Sequence, residues 1–216
     1  MTSLRIDFVS DVVCPWCAIG LASLEQALLR LQGEMDAQIH VQPFELDPNT
    51  PREGVEVAAN LKRKYGMSDA QLAENQERIR QRGAELGFSF DFNARSRTWN
   101  TFDAHRLLHW AAGEGDGRQL ALKRALLVAN FSEGCNISDH AVLAEVAAGV
   151  GLDAQRAGAV LAGGEFADAV RDAEKLFQGL GISSVPAVIL ERKHLISGGQ
   201  PPEVFERALR DIAARA

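Results

Sequence analysis

Three cysteines in 216 residues are too few for the disulfide framework of a small secreted domain, and no apolar run approaches the roughly 18 residues that a membrane-spanning helix needs. Positive charge is in deficit as well. Against 29 Asp and Glu stand 23 Lys and Arg, so the net charge is −6, and a pI near 5.4 offers no basic face for nucleic acid. A secretory leader is not expected, because Arg5 and Asp7 interrupt the opening residues and Cys14 arrives before a charged and an apolar region could both fit. No internal repeat or low-complexity segment is visible. What is left is ordinary globular composition, 46% hydrophobic and 24% charged, in a chain long enough to bury a core without staples. It is expected to work in the cytoplasm, without a membrane or nucleic-acid partner.

Two of the three cysteines stand together in Cys14-Pro15-Trp16-Cys17, between an apolar strand pattern and an apolar-striped helix. One turn of helix brings sulfurs at this spacing to the same end, where they can close a small disulfide ring. Pro15 suits the first helical position, where no amide donor is required. Cys14 then becomes the N-cap, with its sulfur toward the unpaired amides and the positive end of the helix dipole, which favours thiolate. Cys14 is the expected nucleophile, and Cys17, one turn in and on the inward stripe, the buried resolving thiol. A zinc site is the competing reading, but four ligands are wanted and the chain adds only Cys135 and five scattered histidines. No metal is expected.

Alternating Leu4, Ile6 and Phe8 predict a strand over residues 4–9, and Cys17, Leu21, Leu24, Leu28 and Leu31 predict the helix that follows, ending near Gly33. Ile39, Val41 and Phe44 predict a second strand over 39–44, completing a β-α-β unit. Beyond the turn-rich Asp47 to Pro51 the pattern becomes almost wholly helical. Ser68 with Gln71 forms a capping box, Asp153 caps another helix that stops at Gly163-Gly164, and helical spacing runs through 102–112, 118–131, 140–148 and 166–178. Strand chemistry then returns in Ala187 to Leu190 and Leu195-Ile196 around the charged turn Glu191-Arg192-Lys193, and Pro201-Pro202 starts a last helix through Arg215. The order is β-α-β, a helical block, then β-β-α.

The chain resembles the DsbA family of the thioredoxin superfamily, and within it the FrnE-like group, along essentially its full length. The resemblance is carried by Ser10 to Cys17, Pro43-Phe44-Glu45-Leu46, Asn100 to Leu107, Gly181 to Ala187 and Gly198-Gly199-Gln200. It implies an α/β thioredoxin fold made of residues 1–51 and 179–216, interrupted by an all-helical insertion over 52–178. It also implies that Val185-Pro186 is a cis peptide beside the dithiol, where the backbone of Val185 can pair with an extended substrate. The function implied is thiol-disulfide exchange on protein or small-thiol disulfides, with no cofactor beyond the Cys14-Cys17 disulfide itself, glutathione as a candidate co-substrate, and a thiol reductant or oxidant as recycling partner. Glutathione-dependent isomerases and transferases of the 2-hydroxychromene-2-carboxylate isomerase and kappa-class type resemble the chain in architecture. They usually carry serine where Cys14 stands. A third reading, client holding by an apolar groove around Trp16 and Pro186, is compatible with redox activity.

Other residues carry plainer expectations. Trp16 is expected exposed beside Cys14 as an apolar contact for substrate, and Asp11 is read as a solvated loop acid. Asn100, Asp103, His105 and Arg106 are read as capping and packing residues, Phe88, Phe90 and Phe92 as core, and Cys135 as an incidental thiol in a loop. Lys62-Arg63-Lys64 reads as a solvated helix face.

Overall fold

The structure is a computed structural model that describes residues 3–214. β1 (Ser3–Ser10) turns Leu4, Ile6 and Phe8 to one buried face and Val9 to the other, the period of two that a strand imposes. α1 (Pro15–Arg30) leaves its end, and β2 (Asp36–Pro43) comes back parallel to β1, with Ile39 beside Ile6 and Val41 beside Phe8. β2 begins at Asp36 instead of residue 39. Apolar alternation reports only the buried stretch of a strand, whereas backbone pairing continues beyond it.

The helical block then follows. It comprises β3 (Val55–Glu56), α2 (Val57–Tyr65), α3 (Asp69–Glu85), β4 (Arg97–Thr98), α4 (Phe102–Ala111), α5 (Arg118–Phe131), α6 (His140–Gly149), α7 (Ala154–Ala162) and α8 (Ala167–Gly179). Its caps are those the side chains dictate. The Ser68 hydroxyl accepts from the Gln71 amide at 3.2 Å while the Gln71 side chain accepts from the Ser68 amide at 2.9 Å, and the Asp153 carboxylate accepts from the Arg156 amide at 2.8 Å. The insertion is not wholly helical, however. Val55 and Glu56 pair antiparallel with Thr98 and Arg97 in a ladder too short to leave a period in the sequence. Glu56 then caps α2 by accepting from the Ala58 and Ala59 amides.

β5 (Ala187–Leu190) pairs antiparallel with β1 and with β6 (His194–Ser197), giving a mixed sheet of order β2-β1-β5-β6. Left-handed backbone at Glu191 and Arg192 makes the tight turn between them. α9 (Pro202–Ala213) closes the fold, and the expected end at Arg215 lies outside the described residues. The result is a thioredoxin-like α/β fold with a helical insertion.

The two larger of its apolar cores position the site. One fills the space between the sheet and helices α1 and α9, with Ile6, Phe8, Leu21, Leu24, Phe205 and Leu209 fully or almost fully buried. Truncating Phe205 to alanine there is worth about 3–5 kcal/mol. The other lies within the insertion, around Leu107, Leu122, Leu126 and Leu143, and takes in Val12 and Val13 from the loop after β1. The two residues ahead of Cys14 are therefore anchored in the insertion, while α1 is anchored on the sheet.

Candidate active site

Cys14 occupies the N-cap of α1 in extended conformation, Pro15 follows at the first turn, and the Cys17 amide donates to the Cys14 carbonyl at 3.0 Å. Both cysteines are free and buried. The Cys14 thiol donates to the Val185 carbonyl at 3.7 Å. Val185-Pro186 is a cis peptide, and Pro186 is buried against α1. A Cβ on Gly20 would stand 3.0 Å from Pro186 Cγ, so the bare glycine lets the helix and the proline loop approach. The structure thus brings Cys14, Pro15, Trp16, Cys17, Val185 and Pro186 together.

The two thiols differ in their protonation. A hydrogen bond from Cys17 pulls the Cys14 thiol below its ordinary range despite burial, and the Cys17 and Trp16 amides at the helix start act in the same direction. Burial pushes Cys17 well above that range, and donating to Cys14 pushes it further. Cys17 is completely buried, whereas Cys14 borders a cavity of about 590 Å³.

One face of α2, with Val57, Asn60, Leu61 and Lys64 at helical spacing, lines that cavity together with Asn75, Gln76 and Ile79 of α3. Trp16 is half-buried, not exposed: α3 covers it, and the Arg78 guanidinium lies 5.6 Å from its ring. The basic run of α2 is exposed as expected, yet Lys64 reaches back to the Leu46 carbonyl at 3.2 Å.

Asp11 is not a solvated loop acid. It is fully buried, accepting from the Leu46 amide at 2.7 Å and the Val13 amide at 3.4 Å, with His105 Nε2 3.5 Å from Oδ1. Burial favours the neutral acid, but His105 close by, with the Leu46 amide, outweighs it and holds the carboxyl below its usual range. The loop is drawn inward because Val12 and Val13 on one side and Leu46 on the other belong to the insertion's core.

A model of the DSBA-like thioredoxin domain matches residues 5–210. The chain belongs to this DsbA-like family. A probable DsbA oxidoreductase from Streptomyces coelicolor is 36% identical, with TM-score 0.89 over 99% of this chain and 91% of that one. The uncharacterized protein YwbO of Bacillus subtilis is 28% identical over 210 residues, 97% of both chains. The fold is also shared with the cytosolic disulfide reductase DsbM of Pseudomonas aeruginosa in a structure with GSH, at 21% identity and TM-score 0.64 over 99% of this chain and all of that one. This DsbA-like chain is accordingly an enzyme of the thiol-disulfide oxidoreductase class.

Two residues of the DsbA-like site escaped sequence reasoning. Arg95, buried beside Cys14 in the cavity wall, donates to the Val13 carbonyl at 3.2 Å and lies 4.6 Å from the centre of the Phe131 ring; burial brings its pKa down to about 10, while the charges of Cys14 and Asp11 oppose that fall. Lys123 of α5 is completely buried, with no hydrogen-bond partner for Nζ among the described residues. The available signal was a lysine next to Leu122 in a helix apolar on more than one face, which leaves no wet side for it.

The remaining candidates divide. Arg106 is structural, donating to Asp103 and to the Glu165 and Gly163 carbonyls, and Asn100 accepts from the Phe102 amide. His105 faces Asp11 instead of merely packing. Phe90 is core, 5.2 Å from Phe131 between ring centres, while Phe92 lines the cavity. Burial and then Glu133, 3.8 Å away, push the Cys135 thiol up, the opposite of activation.

Proposed function

We propose that the chain is a FrnE-like oxidoreductase that exchanges disulfides through Cys14 and Cys17. The asymmetry of the pair carries the reading: one thiol lowered at a cavity, the other raised and sealed behind it. Cys14 thiolate attacks a substrate disulfide and forms a mixed disulfide; Cys17 then attacks Cys14, releasing reduced substrate and leaving the enzyme oxidised. Pro15, Trp16, Val185 and Pro186 form the substrate edge. The Val185 backbone pairs with an extended segment in this reading, which its carbonyl's distance of 3.7 Å from the Cys14 sulfur supports.

Low-molecular-weight disulfides enter as substrates beside protein ones, since a cavity of about 590 Å³ falls within the roughly 300–1,000 Å³ of small-molecule sites. Glutathione as co-substrate is also favoured by its presence with the Pseudomonas reductase. The helix start stabilises thiolate and pushes the pair toward oxidant. A cytoplasmic location, with a thiol pool as recycling partner, turns it to reduction or isomerisation. No nucleic acid or membrane enters the reaction.

A glutathione-dependent isomerase needs no second thiol, so the sealed Cys17 argues against that reading. The deciding experiment is a glutathione redox titration of the Cys14-Cys17 pair with thiolate absorbance followed in parallel. A single two-electron transition is expected, with the potential fixing direction. A pair that forms no disulfide at any poise defeats the reading, as does isomerase turnover that survives Cys17→Ser while disulfide reduction is lost.

A further inference from the structure

Around the dithiol, from the cavity wall at Arg95 and Asp11 back to Lys123, lies a group of charges that the two-step reaction leaves without a role. Lys123 is completely buried and its Nζ has no hydrogen-bond partner among the described residues. Arg95 is buried too and donates only to neutral groups, the Val13 carbonyl at 3.2 Å and Asn130 Oδ1 at 3.5 Å. Burial brings the Lys123 pKa down, and the charges of Cys17, of Asp11 in the loop after β1 and of Cys14 at the start of α1 oppose that fall. His105 of α4 faces Asp11 in turn, and Glu45, which lies toward His105, is tied to Arg171.

Lys123 and Arg95, with His105 Nε2 3.5 Å from Oδ1, thus stand against one carboxylate, Asp11, whose oxygens already accept from the Leu46 and Val13 amides. Buried charge without a counter-charge is strongly disfavoured. The cluster has a place for one more anion, and the two thiols are the groups able to supply it.

We propose that Lys123 is a positioning residue for the second step: it holds a positive charge that serves the Cys14 thiolate first and Cys17 once Cys14 is tied in a mixed disulfide. This rests on the two-step dithiol reading. In the first step a Cys14–SR bond forms, the RS–SR′ bond breaks, and R′S⁻ leaves with the electron pair and takes a proton from water. Cys14 no longer carries charge, so the cations lose their anion. Cys17 then gives its proton to water, and its thiolate, compensated by Lys123, attacks Cys14; the disulfide closes and RS⁻ leaves. The chain has lost two electrons and the substrate has gained them. Burial holds the Cys17 thiol up in the reduced chain, and Lys123 relieves that obstacle only when the mixed disulfide needs it.

The test uses 5,5′-dithiobis(2-nitrobenzoate) on the reduced full chain carrying Cys135→Ser, so that each molecule releases one thionitrobenzoate at Cys14 and a second at Cys17. Lys123→Met is expected to slow the second release at pH 7 by about threefold or more, the net effect of one thiol pKa unit once the higher reactivity of the more basic thiolate is counted, and to slow the first less. The midpoint of the second release shifts to higher pH. The oxidised variant melts at a higher temperature than the oxidised parent, because there an apolar chain replaces a buried ammonium with no thiolate beside it; a purely structural lysine predicts lower. Lys123→Gln should show the same kinetic loss. A second release unchanged in rate and midpoint, or slowed no more than the first, overturns the proposal. If neither variant folds, the parent decides. A second-release midpoint below the ordinary thiol value of 9.0 supports a counter-charge, and one above it overturns it. Failure of the dithiol reading looks different, as no second release at any pH.

Discussion

Cys14 and Cys17 sit one helical turn apart, yet their surroundings are built from different parts of the fold. Cys14 meets the proline loop of the thioredoxin half and a cavity walled by Trp16, Phe92 and Trp99. Cys17 is sealed, and the charges behind it, Asp11 excepted, come from the insertion: His105 on α4 and Lys123 on α5. On the proposed reading the thioredoxin half supplies the sulfurs and the substrate edge, while the insertion sets the electrostatics and roofs the cavity. An insertion used in this way is part of the chemistry, and changes to its buried charges, unlike changes to its cavity wall, should alter rates and pH profiles before they alter binding.

The comparison breaks most severely at the sulfurs themselves. Cys14→Ser should abolish disulfide reduction, because no other thiol reaches the cavity. Cys17→Ser should keep the first step and stop at a stable mixed disulfide, visible by intact-mass measurement as an adduct of one substrate thiol per chain. If Cys17→Ser turns over substrate disulfides at the parental rate, the two sulfurs are not divided by role.

A smaller effect is expected from Arg95→Met. The Arg95 charge faces Cys14, so its loss should move the Cys14 alkylation midpoint upward. Raising a thiol by one unit cuts thiolate tenfold but raises its intrinsic reactivity about threefold, leaving a net slowing of about threefold in the first step. Rapid-mixing alkylation against pH measures both. An unmoved midpoint would show that Arg95 serves only to hold Val13.

The fold was legible because its signals are periodic or chemical: alternation in β1, the stripe of α1, the capping box at Ser68, the proline start of α9. The ladder of β3 and β4 was not, since two residues carry no period. At the site, Cys14, Cys17 and the proline loop were legible from spacing and resemblance. Asp11, Arg95 and Lys123 were not, because a charged side chain reads as solvated unless the three-dimensional packing denies it water. Trp16 was misjudged for the same reason, its cover being α3, far away in the chain. What the sequence hid was burial of polar groups, a property of distant neighbours.

Asp11→Asn sharpens the comparison most finely, since it removes the anion of the closed side without removing a cation. The Asp11 charge raises the Cys14 thiol, so the Cys14 midpoint should fall, opposite in direction to Arg95→Met. Stability gives a second, independent sign. The folded carboxyl titrates below its ordinary value of 3.8, so the unfolded chain binds the proton first as pH drops. The carboxylate's contribution is then full above about pH 4 and is lost as pH falls through the folded value. Asp11→Asn should flatten that acid limb of a urea-unfolding series while changing little of its pH dependence near neutrality. A variant that keeps the full acid limb would place the responsible carboxylate elsewhere, and a Cys14 midpoint that rises would mean that Asp11 acts on the thiol chiefly by holding the loop between Val13 and Leu46 in place.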